Sequence, residues 1–160
     1  MPNPGAQSQP IPTVLIIEDG DEYFEFFDRH LFGYRLLQSH SFAEAKEAFR
    51  QNTIDIIVLD IRFDRTPREQ LIGDVEAVSR SRFGQTGDLG EAWRYLADNQ
   101  GFLIAQRLRD EGHREPFMII ESLPQRQIEN LRRLYGAVTV VPEFDVKQIH
   151  AALLELLRTQ

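Results

Sequence analysis

Short unbroken apolar runs alternate along this chain with longer stretches in which apolar positions return every three or four residues. The runs at 14–17, 54–59, 117–120 and 137–141 are too short for core helices and rich in β-branched residues, so they read as strands buried on both faces. A weaker strand is expected over 34–38. Helical spacing covers about 21–31, 42–50, 102–110, a segment opening at Pro124, and 145–157. Ser41-x-x-Glu44 has the form of a capping box, and Gly112 closes the helix that begins at 102. Strands alternating with amphipathic helices imply right-handed parallel βαβ units, with helices covering both faces of one doubly wound α/β sheet.

Two segments depart from this rhythm. Residues 1–12, with four prolines among small and polar residues, read as a disordered leader, leaving one domain over 13–160. The stretch from 62 to 100 is too long for an ordinary βα loop, and within it 65–98 is expected to form a helical insertion. Thr66-Pro67-Arg68-Glu69 offers a cap, a proline at the first helical position and a glutamate three residues after the cap, with Leu71, Val75 and Val78 following at helical spacing. Gly84-Gln85-Thr86-Gly87 reads as a turn, and Leu89, Trp93 and Leu96 mark a second short helix. These helices are too short to be stable alone and should pack beside the sheet, which makes the insertion, with Trp93, a candidate partner surface.

The first helix is crowded with aromatic residues. Phe24, Phe27 and Leu31 share one face and should lie on the sheet, so Tyr23, Phe26 and His30 point elsewhere, either toward a partner or under the insertion.

Charge and composition narrow the function. The formal net charge of −7, with no concentrated basic segment, argues against direct nucleic-acid binding and against anionic membranes. The absence of cysteine removes disulfides, thiolate metal sites and cysteine nucleophiles. No apolar run approaches the roughly 20 residues needed to span a bilayer, and no signal sequence is visible, so a cytoplasmic location is expected. Sixteen of the eighteen basic residues are arginine, leaving Lys46 and Lys147 as the only lysines for any chemistry that needs one.

Chemistry concentrates where two strands end. Glu18 and Asp19 close the first apolar run and Asp60 closes the third, so three carboxylates converge at the carboxyl edge of the sheet, where ligands of open α/β sheets bind. Such a group needs a counter-cation to stay ionised. Oxygen-only ligands suit Mg²⁺, and a carboxylate beside it can serve as a nucleophile toward phosphorus. The alternative is structural: Asp19 caps the first helix, Asp60 caps a turn, and Glu18 is solvated. Gly84 to Gly87 lacks the lysine and strand-to-helix context of a phosphate loop, and the four histidines show no metal-ligand spacing.

The order of elements, the Glu18-Asp19 pair, Asp60 and Gly136-Ala137 before the last strand together resemble the receiver domain of bacterial two-component response regulators. Gln100-Gly101-Phe102-Leu103 resembles the glycine-led third helix of that family, displaced by the insertion. The resemblance implies a flavodoxin-like (βα)5 fold with strand order 2-1-3-4-5, phosphorylation of Asp60, and Mg²⁺ held by Glu18, Asp19, Asp60 and the backbone carbonyl of Arg62. It also implies a histidine kinase, phosphotransfer protein or downstream signalling protein as partner, docking on the first helix at Tyr23 and Phe26, and it allows a homodimer.

The family's switch positions are altered. Glu121 stands where receivers carry Thr or Ser, with Ser122 one place late; Val141 replaces the lysine before a proline, and Val138 the aromatic residue three positions earlier. Two like charges about 4 Å apart repel by about 4 kcal/mol at an effective dielectric near 20, so Glu121 would oppose phosphorylation. Arg62 and Arg65 are the candidates to supply the missing cation; the alternative is that both are solvated. Three functions follow: an atypical receiver-like module with weak or no phosphorylation that acts through protein contacts and not by turnover, a phosphorylation-operated switch, and a small Mg²⁺-dependent phosphatase with Asp64 as its second acid.

Overall fold

The computed structural model describes residues 9–84 and 89–159. The first eight residues of the expected leader and residues 85–87 of the expected Gly84–Gly87 turn lie outside the described residues. The strands are β1 (Thr13–Ile17), β2 (Arg35–Ser39), β3 (Ile56–Leu59), β4 (Phe117–Ile120) and β5 (Val138–Val141). They form one parallel sheet in the order β2-β1-β3-β4-β5, the doubly wound arrangement expected from the alternating pattern. The helices are α1 (Glu22–His30), α2 (Phe42–Gln51), α3 (Val75–Phe83), α4 (Leu89–Asp98), α5 (Gln100–Asp110), α6 (Gln125–Tyr135) and α7 (Val146–Arg158). None among the described residues is long and apolar enough to cross a membrane.

The pleat divides the strand residues between two cores. Leu15, Ile17, Ile57, Leu59, Phe117 and Ile119 meet α2, α5 and α6 through Phe42, Ala45, Ile104, Leu108 and Leu131. Val14, Ile16, Ile56, Val58, Met118 and Ile120 meet α1 and α7 through Phe27, Leu31, Ile149, Leu153 and Leu156. Both faces of β1, β3 and β4 are therefore covered, which is why their sequences are continuously apolar. The edge strand β2 is only partly buried, and its sequence signal is correspondingly weak. At α2 the Ser41 hydroxyl accepts from the Glu44 amide, while the Glu44 carboxylate reaches back to the amide of His40.

Element ends differ from the sequence expectation at several places. The strand expected over 54–59 begins at Ile56, and the helix expected over 102–110 begins at Gln100. The largest difference lies between β3 and α5. Pro67 does not open a helix: Arg68–Gln70 form a single 3-10 turn, Leu71 is extended, and Gly73 has φ +119°. The helix starts only at Val75, where the Asp74 side chain accepts from the Ala77 amide at 3.0 Å. Leu71 is therefore not in helical register with Val75 and Val78; with Ile72 it packs against the α2/α5/α6 core.

Two neighbouring residues tie this segment to the sheet. Gln100 is 1% exposed; its amide donates to the carbonyls of Ile72 and Leu96 and accepts from the Ile72 N–H at 2.8 Å. Gly101 donates its N–H to the Ile61 carbonyl at 2.9 Å, and a Cβ there would lie 2.1 Å from the Asp60 carbonyl oxygen. Replacing Gln100 by Leu, similar in size and without polar atoms, leaves the Ile72 backbone unpaired and should cost about 2 kcal/mol. A lower urea midpoint together with faster exchange of the Ile72 amide is the expected result; an unchanged midpoint would show that the side chain is not a tie.

Candidate functional site

Strand register brings the acids together. Ile17 pairs with Leu59, so the residues that follow them emerge side by side, and the Asp60 amide donates to the Ile17 carbonyl at 2.9 Å. The three carboxylates nevertheless have different surroundings. Glu18 is 1% exposed and turns onto the N-terminus of α1, accepting from the amides of Tyr23 at 2.9 Å and Phe24 at 2.8 Å and from Gln38 Nε2 at 3.3 Å. Burial raises its pKa and these bonds lower it, with a net rise. The expectation that Asp19 caps the helix, or that Glu18 is solvated, is corrected: the N-cap residue Asp21 makes no side-chain cap bond, and Glu18 accepts from the free N–H groups of α1 in its place.

Asp19 faces the other way. Its carboxylate accepts from the Arg65 amide at 3.0 Å and lies 3.4 Å from the Arg65 guanidinium, which also bonds both oxygens of Glu22 at 2.9 Å. The Asp19 side chain is only 5% exposed. The Arg65 ion pair first, and then the amides of Glu22 and Asp21, hold the Glu22 carboxyl down at a pKa of about 2.

Asp60 itself is half-buried, and its pKa rises from an ordinary 3.8 to about 7. Desolvation is the main cause, followed by the charge of Asp19; the amides of Ile61 and Arg62 pull the other way, and Glu18 adds a smaller rise. Among the described residues Asp60 makes no ion pair. Arg62 is exposed and Arg65 is occupied by Asp19 and Glu22, so neither arginine stands in for a lysine on Asp60.

Tyr23 is where the sequence expectation fails most clearly. Its ring turns inward, placing the hydroxyl 3.5 Å from Asp60 Oδ1 and 3.4 Å from the Ile120 carbonyl. Burial first, and then the charges of Asp60, Glu121 and Glu18, push its pKa far up, so the phenol stays protonated and can only donate to a carboxylate. On its other side the ring meets Phe144 edge-on at 4.9 Å, and Phe144 meets Phe26 at 5.0 Å. Phe26 is thus half-buried in an aromatic group, whereas Phe32, at 79%, and Phe144, at 43%, are exposed. A position in the first turn of a helix above Asp60 was a readable signal for Tyr23; nothing in the sequence pointed to Phe144.

The altered positions lie after β4 and at the two ends of β5. Glu121 follows β4, partly buried, with its amide on the Val141 carbonyl, while Ser122 is exposed. Val138 and Val141 are buried in the two opposite cores, so the place of the family's lysine is filled by apolar packing. Trp93 lies apart, under Arg68 in a groove of about 1200 Å³ that begins at Arg62 and Phe63.

The donor set suits Mg²⁺ only in part. Asp19 and Asp60 are hard oxygen ligands whose mutual repulsion a divalent cation would relieve, and one or two carboxylates plus water is a common Mg²⁺ arrangement. Glu18, a ligand by resemblance, is instead committed to α1, and among the described residues no group of three His, Cys, Asp or Glu side chains is placed to hold a metal.

No protein-family model and no curated protein matches the sequence. Solved structures do match by fold. The non-phosphorylated HemR receiver domain from Leptospira biflexa aligns with a TM-score of 0.59 at 19% identity, over 91% of this chain and 94% of its own. A response regulator from Thermotoga maritima gives 0.60 at 14% identity, over 93% and 99%. The signal receiver domain of an HD domain-containing protein from Pseudomonas fluorescens gives 0.62 at 10% identity, over 96% and 92%. The chain has the receiver fold.

The raised pKa of Asp60 has a defined sign. The folded protein binds this proton more tightly than the unfolded chain, so the ionised carboxylate destabilises the fold: not at all below about pH 4, increasingly up to about pH 7, and fully above it. Asp60→Asn, neutral throughout, should therefore be more stable than the parent at about pH 8 by at most about 4 kcal/mol, with the gain vanishing toward about pH 4. Urea midpoints across that range test it; a gain independent of pH would exclude the buried charge as the cause.

Proposed function

We propose that this chain is a receiver-type signalling module in which Asp60 is a weak phosphoacceptor and the signal passes through protein contacts. The observation that carries this reading is the position of Asp60: a half-buried carboxylate at the carboxyl end of the central strand β3, beside Asp19, with no ion pair among the described residues. In the transfer, an Asp60 oxygen bonds to the phosphorus of a phosphohistidine or acyl phosphate while the P–N or P–O bond breaks, the leaving group departing with the electron pair. A group with a pKa of about 7 is partly protonated at neutral pH, and the protonated fraction is not nucleophilic. The Tyr23 hydroxyl competes for the same carboxylate.

Asp19 and Asp60 are the residues that would hold Mg²⁺, with the Arg62 carbonyl as the third protein ligand by resemblance. Bound there, the ion would neutralise the paired carboxylates and draw charge from the phosphoryl oxygens. Arg65 opposes this by holding Asp19. A histidine kinase or phosphotransfer protein is the donor that fits, and the groove of Arg62, Arg68, Trp93 and Arg94 beside the site is the surface proposed for partner selection. Against the phosphatase alternative, Asp64, its second acid, is exposed and lines that groove, whose lining does not include Asp60.

Intact-mass measurement with acetyl phosphate and Mg²⁺ tests the reading. A slow, substoichiometric adduct that disappears in Asp60→Ala is expected; turnover without an adduct would replace it with a phosphatase, and no adduct at any time would leave only constitutive contacts. Separately, Arg65→Ala should bind Mg²⁺ several-fold more tightly by calorimetry, because it releases the guanidinium from Asp19, and Asp19→Asn should abolish binding. Equal affinity in the parent and Arg65→Ala would show that the arginine does not guard the site.

A further inference from the structure

One path of contacts leads from Asp60 to the protein surface. It starts at the Tyr23 hydroxyl, 3.5 Å from Asp60 Oδ1, crosses the Tyr23 ring and reaches Phe144 at 4.9 Å. Phe144 is 43% exposed and immediately precedes Asp145, the residue that caps α7 by accepting from the Gln148 amide at 2.9 Å. Phe26 packs on the same ring from α1, and His30 packs on Phe26 at 4.9 Å. Movement of one phenol would therefore be felt on both helices that cover this side of the sheet.

Two features give Tyr23 this role and withhold it from its neighbours. Its hydroxyl lies between the ends of β3 and β4, touching Asp60 and the Ile120 carbonyl, which is the space a tetrahedral anion on Asp60 would have to share. The residues after β4 offer no substitute: Glu121 is anionic and Ser122 is exposed. The phenol also has an alternative acceptor already within 3.4 Å, the Ile120 carbonyl, so leaving Asp60 need not strand a buried hydroxyl.

We infer that Tyr23 is the residue that reads the occupancy of Asp60: an anion on the carboxylate displaces the phenol, the displaced ring moves Phe144, and the change appears on the face formed by α1 and the start of α7. The inference rests on Asp60 accepting a phosphoryl group, as proposed above, and assigns the readout to a residue outside the β4 and β5 switch positions.

Beryllofluoride with Mg²⁺, a non-covalent stand-in for the phosphoryl group, separates the two ideas by NMR. The amides of Ile61 and Arg62 report binding at Asp60; the Phe144 ring and the Gln148 amide report the far end. In the parent both sets should move, and Asp60→Asn should silence both. In Tyr23→Phe, which keeps the ring and loses the hydroxyl, the first set should still move while the Phe144 and Gln148 shifts fall several-fold. Phe144→Ala, altering an exposed side chain, should likewise keep the Ile61 and Arg62 response and lose that of Gln148. The inference is overturned if Phe144 and Gln148 respond equally in the parent and Tyr23→Phe, or if the parent responds only at Ile61 and Arg62. No response at Ile61 and Arg62 in the parent would instead remove Asp60 as acceptor, and the readout with it.

Discussion

The close approach of α5 to the backbone at Asp60 holds the acid site, the inserted segment and the sheet to one another. Gly101 sits so near the Asp60 carbonyl that a single methyl group could not be placed there without moving backbone, and its N–H fixes the next carbonyl, that of Ile61. Gln100, one residue earlier, bonds both polar groups of Ile72. The chain can therefore leave the sheet after β3, form two extra helices and return without disturbing Asp60. Phe63 adds a second anchor, fully buried, with its amide on the Ala97 carbonyl at 2.8 Å.

The electrostatics follow from that frozen geometry. Three carboxylates are brought to one edge, yet each is stabilised differently: Glu18 by helix amides, Asp19 by Arg65, and Asp60 chiefly by holding a proton. Among the described residues Asp60 makes no ion pair, and its side-chain partner is the Tyr23 hydroxyl at 3.5 Å. Val141, where the resemblance to receivers implies a lysine, is buried and adds apolar contact with α1 and α7 in place of a cation. Arg65, delivered by the inserted segment, places its charge at the rim of the site and not on Asp60.

Much of this was legible along the chain because parallel strands covered on both faces must be continuously apolar, and amphipathic helices must repeat near 3.6 residues. Those two periods determined the five strands, their alternation with helices and the placement of Glu18, Asp19 and Asp60 at one edge. Gly101 and the proximity of the insertion to the acids were also readable. The start of α3 was not, since Pro67 is an adequate helix opener and only the backbone at Gly73 decides that the helix waits for Asp74.

Side-chain direction is what tertiary structure alone decided. Glu18 and Asp19 are adjacent in sequence and chemically alike, yet one faces α1 and the other Arg65, because neighbouring residues at a strand end project to opposite sides and meet whatever the fold has put there. Tyr23 could have faced solvent by its helical position; it turns inward because the ends of β3 and β4 leave a space with two acceptors, and because Phe144, more than a hundred residues later, closes over its ring. Periodicity reports which residues lie along a face, but which partner a polar atom finds depends on segments distant in the chain, and that information exists only once they are packed together.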